Sequence, residues 1–522
     1  MCARKTAFQA LKVFCKTLFV ANKFAKFGGA GKSMTANYNP KSHNADEFMN
    51  HSEIMATLDY AQEHKNDVDL CYSILEDCKK FANPSALKNL ANSHACTLDH
   101  RGASVLLACE DAGVNRAIKE LAKEIKLAYY GRRIVLFAPL YLSNYCVNGC
   151  LYCPYHAKSK EITRKKLAQE EIAREVCALQ DLGHKRLAIE AGEDPVNNPI
   201  EYILDSIKTI YSAKHKNGSI RRVNVNIAAT THEEYAMLKA ANIGTYILFQ
   251  ETYNKQSYEK LHPSGPKSNY AWHTEAMDRA MQAGIDDVGL GVLFGLESYF
   301  YEFAGLIMHA KHLEAAFGCG PHTISVPRVK PACGINPNEF DGGVPDEIFE
   351  KIIALIRIAV PYTGMIISTR EDEAMRAKAL NLGVSQISGG SKTSVGGYAQ
   401  TARKENTEQF SVSDGRNLDE VVSWLFDLGH IPSFCTACYR AGRTGERFMQ
   451  FCKNGEILNY CHPNALVTLA EYLMDYASDA TKQKGFKLID CQLNEITDAK
   501  RAQQCRQAIN SVVNSGARDV RF

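Results

Sequence analysis

The chain has 522 residues, of which 45% are hydrophobic, and its 61 Lys and Arg residues nearly balance its 58 Asp and Glu residues. This composition suits two or three globular domains, gives no reason to expect nucleic acid as a partner, and contains no run approaching the ~20 apolar residues of a membrane span. Because the chain is long and has no secretory signal, its 18 cysteines favour metal ligation over disulfides.

Residues 1–45 differ from the rest in charge, with eight basic residues and no acidic one. Apolar residues recur there at helical spacing, from Phe8 and Leu11 to Leu18, which predicts a basic amphipathic helix. An organellar transit peptide fits this pattern best, and a solvated basic tail is the alternative. The lysine-rich, serine-poor composition favours the matrix of a hydrogenosome or mitochondrion over a plastid stroma.

Residues 46–130 are predicted to form a helical N-terminal region, because apolar residues recur there at helical spacing. From 131 to 400, strand-like and helix-like segments alternate. The eight predicted strands are 133–141, 186–190, 222–227, 245–249, 288–294, 322–326, 365–368 and 384–388. Eight such strands predict an α/β fold of the (β/α)8 TIM-barrel type. No dinucleotide-binding fingerprint follows the first strand, which counts against an open doubly wound sheet.

The alternation stops after about residue 400. Helical patterns at 418–428 and 465–476 lie on either side of a group of cysteines. Residues 401–522 are therefore predicted to form a small C-terminal domain that holds an iron–sulfur cluster.

The first of two cysteine triplets is Cys146, Cys150 and Cys153, directly after the first predicted strand. Three thiolates are one short of the four that enclose a cubane cluster, so one iron stays open to a ligand that is not protein. The position after a barrel strand is the C-terminal face, where barrel active sites form. A zinc site or three unrelated buried thiols are the alternatives.

The spacing and strand context of this triplet resemble the radical S-adenosylmethionine (SAM) superfamily. The resemblance implies that SAM binds the open iron and is cleaved by one electron to a 5′-deoxyadenosyl radical. It also implies that Tyr152 packs near the adenine. Glu193 ends the segment EAGE (190–193), where the superfamily has a Gly-Gly-Glu element that meets the methionine amino group. Ala191 replaces the first of those glycines, and the alternative for Glu193 is a helix cap or a surface carboxylate.

The second triplet is Cys435, Cys438 and Cys461. Judged alone, its Cys-x2-Cys pair and the following Cys461-His462 also suit a structural zinc knuckle. Cys452 lies close enough in sequence to complete a closed four-cysteine site. The sequence by itself leaves zinc and a second iron–sulfur cluster both open.

Four segments resemble the HydG family of FeFe-hydrogenase maturases: PLYLSNYC (139–146), FQETY (249–253), GPHTISVPR (320–328) and CTACYRAGRTGERFM (435–449). The resemblance runs from about Asp46 to the C-terminus and includes both cysteine spacings but not Cys452, which is read as an ordinary thiol. It implies a radical SAM lyase with two 4Fe–4S clusters that splits L-tyrosine into p-cresol and dehydroglycine. The glycine fragment then yields carbon monoxide and cyanide at the second cluster, on an additional labile iron held partly by free cysteine. A reducing electron donor and the other FeFe-hydrogenase maturases are the implied partners.

In this family the additional iron needs a protein nitrogen ligand. The candidates are His309, His312 and His322, and His312 is preferred because its helix is expected to approach the C-terminal domain. Each of the three has the alternative of a histidine satisfied by packing or solvent.

Two further residues follow barrel strands at the catalytic face. Arg328 is a candidate clamp for the carboxylate of tyrosine or of SAM, with a rim ion pair, for example to Glu251, as the alternative. Glu251 and Thr252 are candidate substrate contacts.

Two rival functions remain open. One is the tyrosine lyase of thiamine synthesis, which stops at dehydroglycine; the second triplet argues against it. The other is a scaffold or iron carrier without radical chemistry, against which Glu193 and the complete first triplet count.

Overall fold

The computed structural model describes residues 37–82, 98–340, 342–399, 405–454 and 456–522. The predicted leader helix lies outside these ranges. Residues Tyr38–Phe522 form one compact unit, and the division of the chain at residues 45, 130 and 400 stays a prediction. None of the described helices has the length and apolar character needed to cross a membrane.

A closed parallel barrel forms the centre of this unit. In chain order the strands are β1 (Arg133–Ser143), β2 (Arg186–Ala191), β3 (Lys214–His215), β4 (Gly218–Ser219), β5 (Arg222–Asn226), β6 (Tyr246–Ile247), β7 (Val288–Gly291), β8 (Thr323–Ser325), β9 (Gly364–Ile367), β10 (Gln386–Ser388) and β11 (Ile431–Ser433). All except β3, β4 and β11 pair in sequence order, and β10 pairs back to β1. The predicted eight-stranded (β/α)8 barrel is confirmed, while β3 and β4 form a separate hairpin.

Strand β11 was not predicted from the sequence. Val135 of β1 pairs with Gln386 of β10 and also with Ser433 of β11, so β10 and β11 lie on opposite edges of β1. Strand β2 pairs with the same edge of β1 as β11 does, but only from Ala138 onward. Strand β11 therefore lies at the N-terminal end of the barrel, and Cys435 follows it there.

Among the described residues, five α-helices precede the barrel: α1 (Ala45–Phe48), α2 (His51–His64), α3 (Val68–Cys78), α4 (His100–Ala108) and α5 (Ala112–Tyr130). The Asp111 side chain caps α5 by accepting from the Val114 amide, and Gly131 ends it at φ +59°. Helix α5 buries an apolar stripe that includes Ile118 and Ile125, which is how the N-terminal region joins the core.

Helices that alternate with the strands surround the barrel: α6 (Gln169–Asp181), α7 (Ile200–Ser212), α8 (His232–Ala240), α9 (Lys255–Leu261), α10 (Tyr270–Thr274), α11 (Ala276–Gln282), α12 (Tyr299–Phe317), α13 (Asp346–Ala359) and α14 (Glu373–Leu382). The C-terminal helices are α15 (Leu418–Asp427), α16 (Ala437–Arg440), α17 (Gly445–Lys453), α18 (Ile457–Asp475), α19 (Asp479–Asn494) and α20 (Ala499–Ser515). Two of the C-terminal helices carry cysteines of the second triplet, Cys438 on α16 and Cys461 on α18.

Candidate active site: two cavities inside one barrel

The inward-facing side chains of β1 line two different cavities. Alternate residues of a strand share one face of the sheet. Arg133 and Val135 line a cavity at the N-terminal end of the barrel, which we call the lower cavity. Phe137, Pro139 and Tyr141 line another at the C-terminal end, the upper cavity.

Other strands divide in the same way. Strands β2, β9 and β10 each contribute to both cavities. They line the lower cavity with Arg186, Gly364 and Gln386, and the upper cavity with Glu190, Ile366 and Ser388. The two cavities are therefore stacked within one barrel interior, with walls formed by the same strands.

The first triplet lies in the upper cavity, whose volume is about 240 Å³ and which Cys146, Cys150 and Cys153 all line. The loop that carries them is held by backbone hydrogen bonds from the Gly149 amide to the Ser264 carbonyl (2.9 Å) and from the Leu151 amide to the Leu261 carbonyl (3.0 Å). A Cβ on Gly149 would lie 2.4 Å from Ser264 Oγ. A larger residue at position 149 would therefore require the Ser264 hydroxyl to move.

Asn148 connects this loop to two others. Its Nδ2 donates to Glu193 Oε2 (2.6 Å) and lies 3.7 Å from Cys146 Sγ, and its Oδ1 accepts from the Lys267 amide (2.9 Å). Glu193 lines the cavity, and its burial raises the pKa of its carboxyl group. The predicted site residue Glu193 is therefore brought next to the first triplet.

Burial disfavours the charged form of two thiols of the first triplet, Cys150 and Cys153. Burial raises the pKa of Cys150 to about 11 and displaces that of Cys153 in the same direction. Thiolates are the form that binds metal, so bound iron is what would ionise these groups.

Tyr152 and Glu251 also line the upper cavity. The Tyr152 hydroxyl lies 2.8 Å from His262 Nε2. Glu251 has a backbone φ of +68° and pairs with Lys267, whose Nζ is 2.8 Å from its Oε1. Burial opposes the charge on Lys267, but Glu251 and Cys150 raise its pKa above the usual value.

Arg328 is not brought into this cavity, although its neighbours Pro327 and Val329 line it. Its guanidinium group pairs with Glu371 at 2.5 Å and with Asp346 at 2.7 Å. The structure corrects the expected position of this residue: Arg328 forms a rim ion pair, and its partners differ from the suggested Glu251.

Several titratable residues of the upper cavity were missed in the sequence, and two of them are Arg370 and Glu190. The Arg370 side chain lines the cavity beside the Phe410 ring, and no acidic side chain of the described residues pairs with it. Burial raises the pKa of Glu190 to about 8. Arg370 follows β9 and Glu190 lies in β2, so their positions at strand C-termini were the available signal.

The second triplet lies in the lower cavity, of about 40 Å³, which Cys435, Cys438 and Cys461 all line. The Cys461 thiol is hydrogen-bonded to Cys438, and this contact, aided by Arg443, lowers the pKa of Cys438. The Ala437 amide donates to Cys435 Sγ (3.4 Å). The fold therefore brings the second triplet together, although Cys461 lies 23 residues after Cys438 in the sequence.

The zinc-knuckle alternative does not fit the surroundings of this triplet. His462 is adjacent to Cys461 on α18, so the two side chains leave the helix in different directions, and His462 Nε2 lies 3.3 Å from the Gln492 carbonyl. Neither His462 nor Cys452 lines the lower cavity. In the ranges that the structure describes, no three His, Cys, Asp or Glu side chains converge closely enough to hold a single metal ion.

His322, not the preferred His312, lines the lower cavity. His312 Nδ1 lies 2.9 Å from the Pro40 carbonyl, its Nε2 lies 3.0 Å from Asp278, and its ring stacks on Phe48. The placement expected for His312 is therefore corrected. The helix that carries it packs this side chain against the N-terminal segment.

His322 belongs to a buried polar network. The Tyr439 hydroxyl lies 2.8 Å from its Nε2, and Asp287 lies 3.3 Å from its Nδ1. Burial opposes a charged ring, but Asp287 and Tyr439 raise the pKa of His322 to about 9. A carboxylate behind a histidine is the usual way in which proteins orient a metal-binding imidazole.

The residues present fit the groups that bind such triplets. Each cavity offers three thiols and space beside them, which is the donor set of a cubane cluster with one open iron. In the lower cavity, Arg133 Nε and Thr436 Oγ1 are buried without a hydrogen-bond partner among the described residues. These are polar atoms that a bound ligand would satisfy.

Two family models match the chain. Residues 140–303 match the Radical SAM superfamily, and residues 325–431 match the Biotin and Thiamin Synthesis associated domain. A solved structure of HydG, a maturase of the FeFe-hydrogenase, is 50% identical and matches over 91% of this chain and 100% of that chain with a TM-score of 0.85. The chain belongs to the HydG family.

Two further relatives agree with this membership. The FeFe-hydrogenase maturase HydG from Carboxydothermus hydrogenoformans is 36% identical over 90% of this chain and 100% of its own, with a TM-score of 0.76. The 2-iminoacetate synthase of Salmonella typhimurium strain LT2 is 30% identical over 65% of this chain and 87% of its own. As a HydG-family protein, the chain is a radical SAM lyase, with 4Fe–4S clusters and SAM as cofactors and an amino acid as substrate.

Proposed function

We propose that the chain cleaves L-tyrosine to p-cresol and dehydroglycine in the upper cavity and converts the glycine fragment to carbon monoxide and cyanide in the lower one. The observation that carries this proposal is the position of the two triplets. They lie at opposite ends of one barrel, and alternate residues of β1 line both cavities. The fragment released in the upper cavity is proposed to pass to the lower one through the barrel interior.

The first cluster with SAM supplies, on one-electron reduction, the acceptor for a hydrogen atom of the substrate. The chain's own contribution is to bind and orient. Glu193 offers a carboxylate beside the first triplet that can accept a hydrogen bond from the SAM amino group. Tyr152 is fixed by His262, so its ring has a defined orientation in the cavity.

Arg370 is the group best suited to hold the substrate carboxylate. Its guanidinium group is the cation in the upper cavity without an acidic partner among the described residues, whereas Lys267 is already paired with Glu251. A bidentate hydrogen bond between arginine and a carboxylate is strong and directional. Glu190, which holds its proton at neutral pH, can donate a hydrogen bond to the same substrate.

In the lower cavity, His322 is proposed as the protein ligand of the additional labile iron, which is part of the product under assembly. Its ring lies in the cavity with the second triplet, and Asp287 orients it. Free cysteine is proposed as a further ligand of that iron. The enclosed barrel limits the escape and side reactions of the intermediates.

The test is an anaerobic reaction of reconstituted protein with SAM, dithionite and tyrosine. We expect p-cresol, carbon monoxide and cyanide. p-Cresol without the two diatomic products would support 2-iminoacetate formation alone, the activity named for the Salmonella relative. Absence of all three products would support a scaffold or iron carrier.

The remaining proposals concern partners and location. The product is proposed to pass to the other FeFe-hydrogenase maturases, and the 1–45 segment to direct the chain to a hydrogenosome or mitochondrial matrix. The basic leader without acidic residues supports the second proposal. A fluorescent protein fused after residue 45 should enter the organelle, and the same fusion with the leader lysines changed to glutamate should not.

A further inference from the structure

The charged side chains that line the two cavities differ in their balance of sign. The upper cavity is lined by three acidic and three basic side chains, which are Glu190, Glu193, Glu251, Lys267, Lys330 and Arg370. The lower cavity is lined by Arg133, Arg186 and His322, and no carboxylate of the described residues lines it. The second triplet therefore lies in positively charged surroundings, whereas the first triplet lies where acidic and basic groups balance.

Neither arginine of the lower cavity has an acidic partner within ion-pair distance in the parts of the chain that the structure describes. Asp287 pairs with Arg222 instead (3.2 Å). Arg186 Nη2 donates to the Cys435 carbonyl oxygen (3.0 Å). Arg133 is 8% exposed, and its Nε is buried without a hydrogen-bond partner among the described residues. Arg133 is thus a buried cation whose charge the described carboxylates do not offset.

The groups that can offset the charge on Arg133 are the three thiols of the second triplet. Arg133 and these thiols line the same small cavity. Burial opposes the charged guanidinium group, whereas Cys461, Tyr130 and Cys435 raise the pKa of Arg133 above its usual value. Thiols ionise when they bind a metal, and a buried cation without a counter-charge is costly. The charge on Arg133 is therefore best balanced when the triplet holds a cluster.

One strand pairing fixes the positions of both Arg133 and the second triplet. Arg133 is the first residue of β1 and lies opposite Ile431, the first residue of β11. Strand β11 ends at Ser433, and Cys435 follows two residues later. Val135, the next residue on the same face of β1, also lines the lower cavity. The barrel itself therefore holds Arg133 beside the triplet.

We propose that Arg133 is the built-in counter-charge of the second cluster and keeps the reduction potential of that cluster higher than it would be without the arginine. The proposal rests on the proposed function, in which the second triplet holds a 4Fe–4S cluster. Reduction transfers one electron from an external reductant to the cluster and so makes it more negative. A nearby positive charge favours this reduced form, because net charge is one of the factors that set the potential of a cluster. Cyanide formed at this site adds negative charge, which Arg133 also offsets.

The test is a potentiometric titration of the reconstituted holoenzyme, without tyrosine or free cysteine, followed by electron spin resonance. Spectra recorded with and without SAM identify the first cluster, because SAM binds there. At the potential that half-reduces the wild-type second cluster, Arg133→Met and Arg133→Gln should each lower its ratio of reduced to oxidised form by about tenfold, which corresponds to ~59 mV for one electron. Arg133→Lys keeps the charge and should stay within about threefold of the wild type.

Two comparisons separate the effect of charge from a general disturbance of the fold. In the Arg133 variants the ratio for the first cluster should stay within about twofold of the wild type, since Arg133 lies at the other end of the barrel. Arg370→Met removes a guanidinium group from the upper cavity and should leave the ratio for the second cluster within about twofold.

The proposal is overturned if the neutral variants that retain the second cluster show the wild-type ratio, or if Arg133→Lys falls as far as they do. It is also overturned if the fall appears only after free cysteine is added, because Arg133 would then act on that ligand. Loss of the second cluster from both neutral variants, with Arg133→Lys retaining it, would support the counter-charge.

The carbon monoxide yield separates this proposal from the proposed function. An unchanged ratio in the neutral variants, with a wild type that forms carbon monoxide from tyrosine, would overturn only the role of Arg133. The expected fall in ratio, with a wild type that forms no carbon monoxide, would contradict the proposed function and leave the role of Arg133 supported.

Discussion

The Tyr439 hydroxyl lies 2.8 Å from Nε2 of His322, inside the lower cavity that holds the second triplet. The imidazole nitrogen that could bind iron is therefore held by a phenol, and Asp287 supports the ring from the other side. To bind a metal ion, Nε2 must give up its contact with the Tyr439 hydroxyl and any proton it carries, while Asp287 keeps the ring in the same orientation. This arrangement sets His322 apart from the other histidines proposed as iron ligands.

His322→Ala should lower the iron content of the reconstituted protein by about one iron per chain, because it removes the protein nitrogen ligand. p-Cresol formation should persist, since the upper cavity is unchanged. His312→Ala is the matched control: it should keep the iron but lower Tm, because it removes one of the two histidine partners of the buried Asp278. Iron analysis and electron spin resonance compare the two variants. Loss of the iron in His312→Ala alone would contradict the assignment of His322 as the iron ligand.

Arg370→Met should raise the KM for tyrosine about tenfold to a hundredfold, which corresponds to the loss of a hydrogen bond to a charged group worth ~1.5–3 kcal/mol. Arg328→Met is the control, because Arg328 does not line the cavity. It should leave KM within about twofold and lower Tm, since the buried Glu371 would keep only Lys330 as a charged partner. An unchanged KM in Arg370→Met would show that another group holds the carboxylate.

Glu302→Gln tests a buried carboxyl group away from both triplets. Burial raises the pKa of Glu302 to about 8, above the ordinary value of 4.5. The group therefore contributes stability below pH 4.5 that is lost as pH rises through 8. Glutamine can make the same contacts to Thr252 and the Tyr253 amide without ionising, and each pKa unit corresponds to about 1.4 kcal/mol.

The free energy of unfolding of Glu302→Gln should therefore match the wild type near pH 5 and exceed it increasingly up to about pH 8. Chemical denaturation across this range measures the difference. The exposed Glu63→Gln should show no such trend. A constant difference between wild type and Glu302→Gln at all pH values would contradict the assignment.

The barrel and the first triplet were predictable because their signals are local. The strand runs are contiguous, and the three cysteines lie within eight residues directly after a strand. The sequence also has Ala191 at the first glycine position of the Gly-Gly-Glu element, and the structure shows why alanine fits there. A Cβ on Gly192 would lie 2.3 Å from the Tyr145 carbonyl oxygen, whereas Ala191 pairs in register with Ser143 and has room for its methyl group.

The lower cavity was harder to predict because it depends on distant contacts. Strand β11 is three residues long and contains Pro432, so it has no readable alternation, yet it fixes the end of the barrel at which Cys435 lies. His322 directly precedes β8 and therefore lies at that same end, which became evident only with β11 in place. Arg328 and Arg370 both follow strands. The sequence does not show that Glu371 forms an ion pair with Arg328 and not with Arg370.

Tyrosine cleavage and the formation of the diatomic products are proposed to occur at different triplets. The most direct test measures p-cresol and carbon monoxide in the same anaerobic reaction with Cys461→Ala, with Cys452→Ala as a buried thiol that does not line the lower cavity. Cys461→Ala should keep p-cresol formation and lose most of the carbon monoxide, while Cys452→Ala should keep both. Loss of p-cresol in folded Cys461→Ala, or carbon monoxide at the wild-type level, would contradict the separation of the two centres.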